Sequence, residues 1–197
     1  MENVFFCNSG SEAVEGAIKM ARKYFQDQGQ YKYEIITCKG SFHGRSITNI
    51  SAAGEEAYLK GFYPALEGFK YVEYGNIEEV RGAINEHTAG ILVEPIQGEG
   101  GLKFAGWNYL KELSNLAKEK GILLLLDEVQ CGAGRTGKFS GFHWAEIQPD
   151  IIALAKGIGG GFPVGATLFA KSTKNVITIG SHGTTFGGNP LAMAVTN

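Results

Sequence analysis

The sequence predicts an α/β fold, a three-layer sandwich in which helices cover both faces of a mainly parallel sheet. Three observations carry this reading. Continuous apolar runs at 122–129 and 150–155 have the length of strands and lack the two-residue alternation of a half-exposed sheet. Between such runs lie stretches with helical spacing of apolar residues. The chain has 197 residues, enough for one core that buries roughly 70% of its unfolded surface.

The elements follow in order. Residues 4–7 (VFFC) read as a short buried strand, broken by Asn8, Ser9 and Gly10. A helix over about 11–27 places Val14, Ala17, Ile18, Ala21 and Phe25 on one stripe. Residues 34–38 (EIITC) form a second strand and 69–74 a third, followed by a helix over 77–86. Residues 90–96 (GILVEPI) form a fourth strand, closed by the glycine loop QGEGG. The 107–120 helix puts Leu110, Leu113, Leu116 and Ala117 on one face, with Gly121 at its end. The strand over 122–129 (ILLLLDEV) ends in acids, and strands over 150–155 and 164–170 complete the sheet. Asn189 and Pro190 have the chemistry of a last helix start, as cap and first residue. Ligands of such sheets sit beyond the carboxyl ends of the strands. That rule gathers Asn8-Ser9-Gly10, Asp127-Glu128-Val129-Gln130 and Lys156 along one edge.

Composition excludes several classes. Lys+Arg is 18 against 20 Asp+Glu, a net charge of −2, which argues against a nucleic-acid stripe or a patch for anionic membranes. The 29 glycines are about twice the usual share of ~7%, as expected where backbone approaches a ligand. The three cysteines, Cys7, Cys38 and Cys131, are widely spaced without a CxxC, so no disulfide framework or metal site is expected. Reduced, buried thiols in a cytoplasmic protein are the simplest reading. No apolar run is long enough to span a bilayer, and MENVFFCNSG does not read as a signal peptide.

Two glycine motifs fail on inspection. GAGRTGK (132–138) has the spacing of a phosphate-binding P-loop, but Phe139 stands where the metal-binding Ser or Thr belongs. GIGGGF (157–162) places Phe162 where a dinucleotide fingerprint needs its third glycine.

Asp127 and Lys156 are better candidates, each at the carboxyl end of a predicted buried strand. One reading is structural, a buried ion pair or a snorkelling lysine. The other is catalytic: a lysine of lowered pKa suited to Schiff-base chemistry, with an acid that keeps a pyridine nitrogen protonated. Other parts fit a phosphorylated aromatic cofactor. Ser9-Gly10-Ser11 at a helix start offers N–H groups to a phosphate, or forms an ordinary cap. One ring of Phe42-His43 stacks on a cofactor, or both pack in the core. Thr184-Thr185 lies between glycines, as a phosphate loop or a polar turn.

Six segments bring in a family. CNSGSEA (7–13), SFHGR (41–45), VEPIQGEGG (93–101), LLLDEVQCGAGRTG (124–137), PDIIALAKGIGGGFPVGA (149–166) and GSHGTTFGGNPLA (180–192) occur in this order. The chain thereby resembles the class III pyridoxal-phosphate aminotransferases over essentially its whole length. The resemblance implies a fold type I large domain, pyridoxal 5'-phosphate as cofactor, and Lys156 as the Schiff-base lysine that also shuttles the proton. It implies that Asp127 pairs with the pyridine nitrogen and that Gln130 bonds near the phenolic oxygen. Val129 and Phe42 then pack on the two ring faces, Gly10 and Ser11 hold the phosphate, and Glu128 belongs to the same cofactor-binding set. Arg45 would grip the substrate carboxylate and Thr184 approach the substrate. Thr185 would reach the phosphate of a partner subunit, so the active site is shared across a homodimer. Glu99 matches a family glutamate that pairs with an arginine of a C-terminal small domain, and Arg135 is expected to structure its loop.

The activity implied is transfer of the δ-amino group of N-acetylornithine to 2-oxoglutarate in arginine biosynthesis, with ornithine, succinylornithine and 4-aminobutyrate as rival donors. A non-catalytic cofactor-domain remnant is the alternative of another class. Residues 1–197 correspond to the cofactor-binding large domain. The family's N-terminal segment and small domain are expected to be absent, and the isolated chain to be inactive or a weak cofactor binder.

Overall fold

Alternation of buried side chains along strands organises the structure, a computed structural model that describes residues 1–197. The strands are β1 (Asn3–Cys7), β2 (Glu34–Cys38), β3 (Phe69–Val72), β4 (Thr88–Val93), β5 (Leu123–Asp127), β6 (Ile151–Leu154) and β7 (Gly165–Phe169). They form one sheet in the order β1-β7-β6-β5-β4-β2-β3. All neighbours pair in parallel except around β7, which runs antiparallel to both β6 and β1. The helices are α1 (Gly10–Gln26), α2 (Ile47–Ala53), α3 (Glu56–Leu59), α4 (Ile77–Ala83), α5 (Trp107–Lys120), α6 (Phe142–Ala145) and α7 (Pro190–Thr196).

Successive strand residues point to opposite faces, and the core divides accordingly. Ile35, Leu92, Leu123, Leu125, Ile151 and Ala153 pack against Val14, Ala17, Ile18 and Ala21 of α1. Ile36, Val93, Leu124, Leu126, Ile152 and Leu154 pack against Leu110, Leu113 and Leu116 of α5. The three layers expected from the sequence are therefore present: α1 with α2 on one side, α4, α5 and α6 on the other. Leu125 is fully buried in the central strand. Leu125→Ala is expected to lower the unfolding free energy by about 2–5 kcal/mol. A urea unfolding midpoint equal to the parent's would contradict this packing.

The structure trims β3, β5, β6 and β7 by one or two residues at their ends, starts β1 one residue and β4 two residues earlier than expected while ending β4 three residues sooner, and adds three short helices, α2, α3 and α6. It reproduces 34–38 and 107–120 as read. Helix α5 stops where Gly121 takes the left-handed conformation, at φ 60°.

Candidate active site

The alternation that builds the core also selects the site. Odd-numbered residues of β5 face α1, so Asp127 emerges on that side at the carboxyl end of the strand. In β4, Leu92 faces α1, so Glu94, just beyond the strand, does too. Val93 pairs with Leu126, which brings the two carboxylates side by side. They line a cavity of about 480 Å³ at the carboxyl edge of the sheet. Gly10, Ser11, Phe42 and Arg45 line it from the α1 side. Glu99, Val129, Gln130 and Lys156 complete it. Nine of the twelve residues expected at the site thus converge.

Asp127 is 3% exposed, and its partner is not Lys156 but His43. Oδ2 lies 2.8 Å from His43 Nδ1, and Oδ1 accepts from the Val129 N–H at 3.1 Å. His43 is buried, and its Nε2 has no hydrogen-bond partner. Burial alone would push the imidazole pKa down; the hydrogen bond and charge of Asp127, with Glu94 nearby, carry it above its ordinary value instead. Glu94 accepts from the Phe42 N–H at 2.9 Å. Burial first, then the charge of Asp127, pushes the Glu94 carboxyl up to about 7. Neither His43 nor Glu94 was singled out for these roles from the sequence. The signal for Glu94 was there, an acid ending the apolar run ILVE, the same pattern that marked Asp127.

Lys156 corrects a second expectation. It is exposed on the cavity rather than buried, and it forms no ion pair with Asp127. It follows β6 and opens a 3₁₀ turn, Lys156–Gly159. Its φ is 47°, a left-handed backbone that costs a side-chain-bearing residue about 1–2 kcal/mol. Such strain persists where surrounding structure over-determines it, and it clusters at functional sites.

The third wall is the start of α1. Ser9 caps the helix, its Oγ accepting from the Glu12 N–H at 3.2 Å. A Cβ on Gly10 would come within 2.8 Å of Val129 Cγ1, so only glycine lets the helix start close on the β5 loop. Gly44 has φ 123°, and a Cβ there would collide with Ser11 Oγ. That close approach lets the Phe42–Arg45 turn pack against the helix start, where Arg45 N–H donates to Ser11 Oγ at 3.2 Å.

Three expected site residues lie elsewhere. Glu128 is turned to the opposite face, because side chains alternate past Asp127. Its carboxylate accepts from Gly141 N–H and Phe142 N–H, both at 2.9 Å, and anchors α6. Burial raises its pKa against those two donors. Thr184 Oγ1 accepts from Asn8 Nδ2 at 3.0 Å, beside the cavity but not lining it. Thr185 is exposed. The P-loop-like segment is a run of turns before α6, where Lys138 Nζ donates to His143 O at 3.2 Å and stacks on Trp144. The Arg135 side chain makes no hydrogen bond or ion pair that would structure its loop; only its backbone N–H bonds, to Gly132 O.

The model of the aminotransferase class-III family matches residues 1–197. The chain belongs to the class-III aminotransferases. It is 53% identical to an acetylornithine aminotransferase of Brucella melitensis, over all of this chain and 49% of that protein. Among solved structures, an ornithine aminotransferase from Toxoplasma gondii superposes with a TM-score of 0.94 at 36% identity, over 99% of this chain and 47% of that one. An N-acetylornithine aminotransferase from Stenotrophomonas maltophilia does so with a TM-score of 0.79 at 39% identity, over 99% and 46%. The chain spans about half the length of the curated relatives it matches.

The three cysteines of this class-III chain are free and buried. Burial pushes Cys7 up to about 11 and Cys38 and Cys131 to about 12, so none offers a thiolate near neutral pH. Glu94 gives the aminotransferase chain a distinctive pH response. A carboxyl whose folded pKa lies above its unfolded value makes the fold lose stability as pH rises through that window, here from 4.5 to about 7. The raised pKa of His43 acts in the same direction. Glu94→Gln keeps an acceptor for the Phe42 N–H. The variant is expected to be more stable than the parent at pH 8 and to lose that advantage at pH 4, read by urea unfolding. An unchanged difference between the two pH values would contradict the assignment.

Proposed function

We propose that this chain carries the cofactor site of a pyridoxal 5'-phosphate-dependent aminotransferase that moves the δ-amino group of N-acetylornithine to 2-oxoglutarate. One observation carries the reading. A strained lysine and a buried aspartate, at the ends of adjacent strands β6 and β5, line one cavity with a helix N-terminus on its other side. Curated relatives named acetylornithine aminotransferases, about half identical over the whole chain, support the donor.

The residues fit this cofactor. Gly10 has no room for a Cβ against Val129, which leaves the N–H groups of Gly10 and Ser11 clear for a phosphate at the positive end of α1. Phe42 and Val129 offer apolar surfaces to a planar ring, and Gln130 can bond its phenolic oxygen. When bound, the cofactor supplies a conjugated ring that accepts the electron pair of a breaking C–H bond. Asp127 would hold a proton on the ring nitrogen, and His43 holds the Asp127 side chain in place. Lys156 Nζ tethers the cofactor, then takes the substrate proton and returns it to another carbon. Arg45 binds the substrate carboxylate through its two-pronged N–H edge.

The reading extends to the assembled protein: residues 1–197 as the large domain, and a cytoplasmic homodimer in which Thr184 and Thr185 serve the shared site, with Glu99 at the cavity mouth facing the substrate side. The exposure of Thr185, away from the chain's own cavity, supports a role across subunits. No helix is long and apolar enough to cross a membrane.

Steady-state turnover by the full-length protein tests the activity. The highest kcat/KM is expected with N-acetylornithine among the four candidate donors. A preference for ornithine, succinylornithine or 4-aminobutyrate would overturn the donor, and no turnover with any would overturn the function. Arg45→Ala is expected to weaken carboxylate binding by about 1.5–3 kcal/mol, roughly 10- to 150-fold. An unchanged KM for both donor and oxo acid would count against its role.

A further inference from the structure

Arg45 is exposed at the cavity, yet no ion pair or side-chain hydrogen bond holds it. Two aromatic rings do. Its guanidinium carbon lies 4.6 Å from the ring centroid of Tyr58 and 5.2 Å from that of Phe42. The two rings meet edge to face, 5.8 Å apart at 86°, and form a corner against which the guanidinium rests. Tyr58 belongs to α3, a helix not foreseen in the sequence. That helix is anchored by buried Leu59 and by Glu55, whose Oε1 accepts from the Gly40 N–H at 3.1 Å. Gly40 precedes the Phe42 turn, so the anchor of α3 and the turn that carries Arg45 are tied together.

We infer that Tyr58 is a positioning residue for the substrate carboxylate, its ring holding Arg45 face-on so that the N–H edge stays free. The inference rests on the reading of Arg45 as the carboxylate site. Its physical basis is the division of labour within a guanidinium. The flat face is attracted by a ring quadrupole, while the N–H donors lie in the plane and make the two-pronged contact with a carboxylate. A ring partner orders the long side chain without occupying those donors. An acidic partner in the same place would consume them and compete with substrate. Ordering Arg45 before substrate arrives lowers the cost of fixing it on binding. The Tyr58 hydroxyl has no part in this, so phenylalanine should serve as well as tyrosine.

The experiment is a calorimetric titration of the full-length, cofactor-loaded protein with glutarate, a dicarboxylate without a reactive group, alongside steady-state kinetics. Tyr58→Leu keeps apolar bulk against α3 and removes the π face. It is expected to weaken glutarate about three- to fivefold and to raise KM for 2-oxoglutarate comparably, with the loss in KM rather than kcat. Tyr58→Phe is expected to bind glutarate within twofold of the parent. In an Arg45→Ala background, Tyr58→Leu should add nothing. Parent-like glutarate binding by Tyr58→Leu, with Arg45→Ala impaired, overturns this inference and leaves the Arg45 reading standing. A Tyr58→Phe variant as weak as Tyr58→Leu also overturns it, by pointing to the hydroxyl. Parent-like binding by Arg45→Ala overturns both.

Discussion

Lys156→Ala in the full-length protein is expected to lower kcat by about 10⁴-fold or more, because one amine carries two duties. In the proposed function it tethers the cofactor and moves the proton, and the structure offers no other lysine on the cavity. The backbone underlines the point: a lysine at φ 47° is held against its conformational preference by β6 before it and the glycine-rich turn after it. The side chain itself is exposed and makes no structural bond, so its removal should change stability by no more than about 0.5 kcal/mol. Loss of turnover at unchanged stability is the expected signature, read by steady-state assay and urea unfolding on the same preparation. Turnover within a hundredfold of the parent would contradict the role.

Asp127→Asn is the second large effect. The shape is conserved, and Asn Oδ1 can still accept from the Val129 N–H. What changes is the other branch, where an NH₂ replaces the oxygen that faces His43 Nδ1 at 2.8 Å. The imidazole must switch tautomer to accept, and the buried negative charge is gone. In the proposed function, the amide would no longer hold a proton on the ring nitrogen, and the electron-withdrawing chemistry a bound cofactor would supply there would weaken. The variant is expected to bind cofactor and to lose about 10²–10⁴ in kcat, the usual scale of a misplaced proton. Near-parent turnover would return Asp127 to a structural role, as the buried partner of His43.

Much of this site was legible in the sequence because strand ends are legible. An apolar run that stops at an acid or a lysine states where the sheet edge lies, and Asp127 and Lys156 were found that way. Glu128 shows the limit of the same signal. Two acids follow LLLL in succession, and nothing local says which one faces α1; only the register of β5 against both core faces decides, and it sends Glu128 to α6. The His43 contact was hidden for a different reason. Asp127 and His43 lie 84 residues apart, and a pairing over that distance exists only once β2 and β5 are set in the sheet. Helices α2 and α3 were missed because they are short and, in ITNISAA, lack a clear apolar stripe. That miss hid Tyr58, and with it the aromatic corner under Arg45. The antiparallel β7 escaped too, since a buried strand reads the same in either direction.

The most direct test of the site is covalent. Borohydride reduction of the cofactor-loaded, full-length protein, followed by peptide mapping, fixes the cofactor to whichever amine holds it. A pyridoxyl group on Lys156, within the segment ALAKGIGGG, is the expected result; a label on Lys138 or Lys171 instead would contradict it.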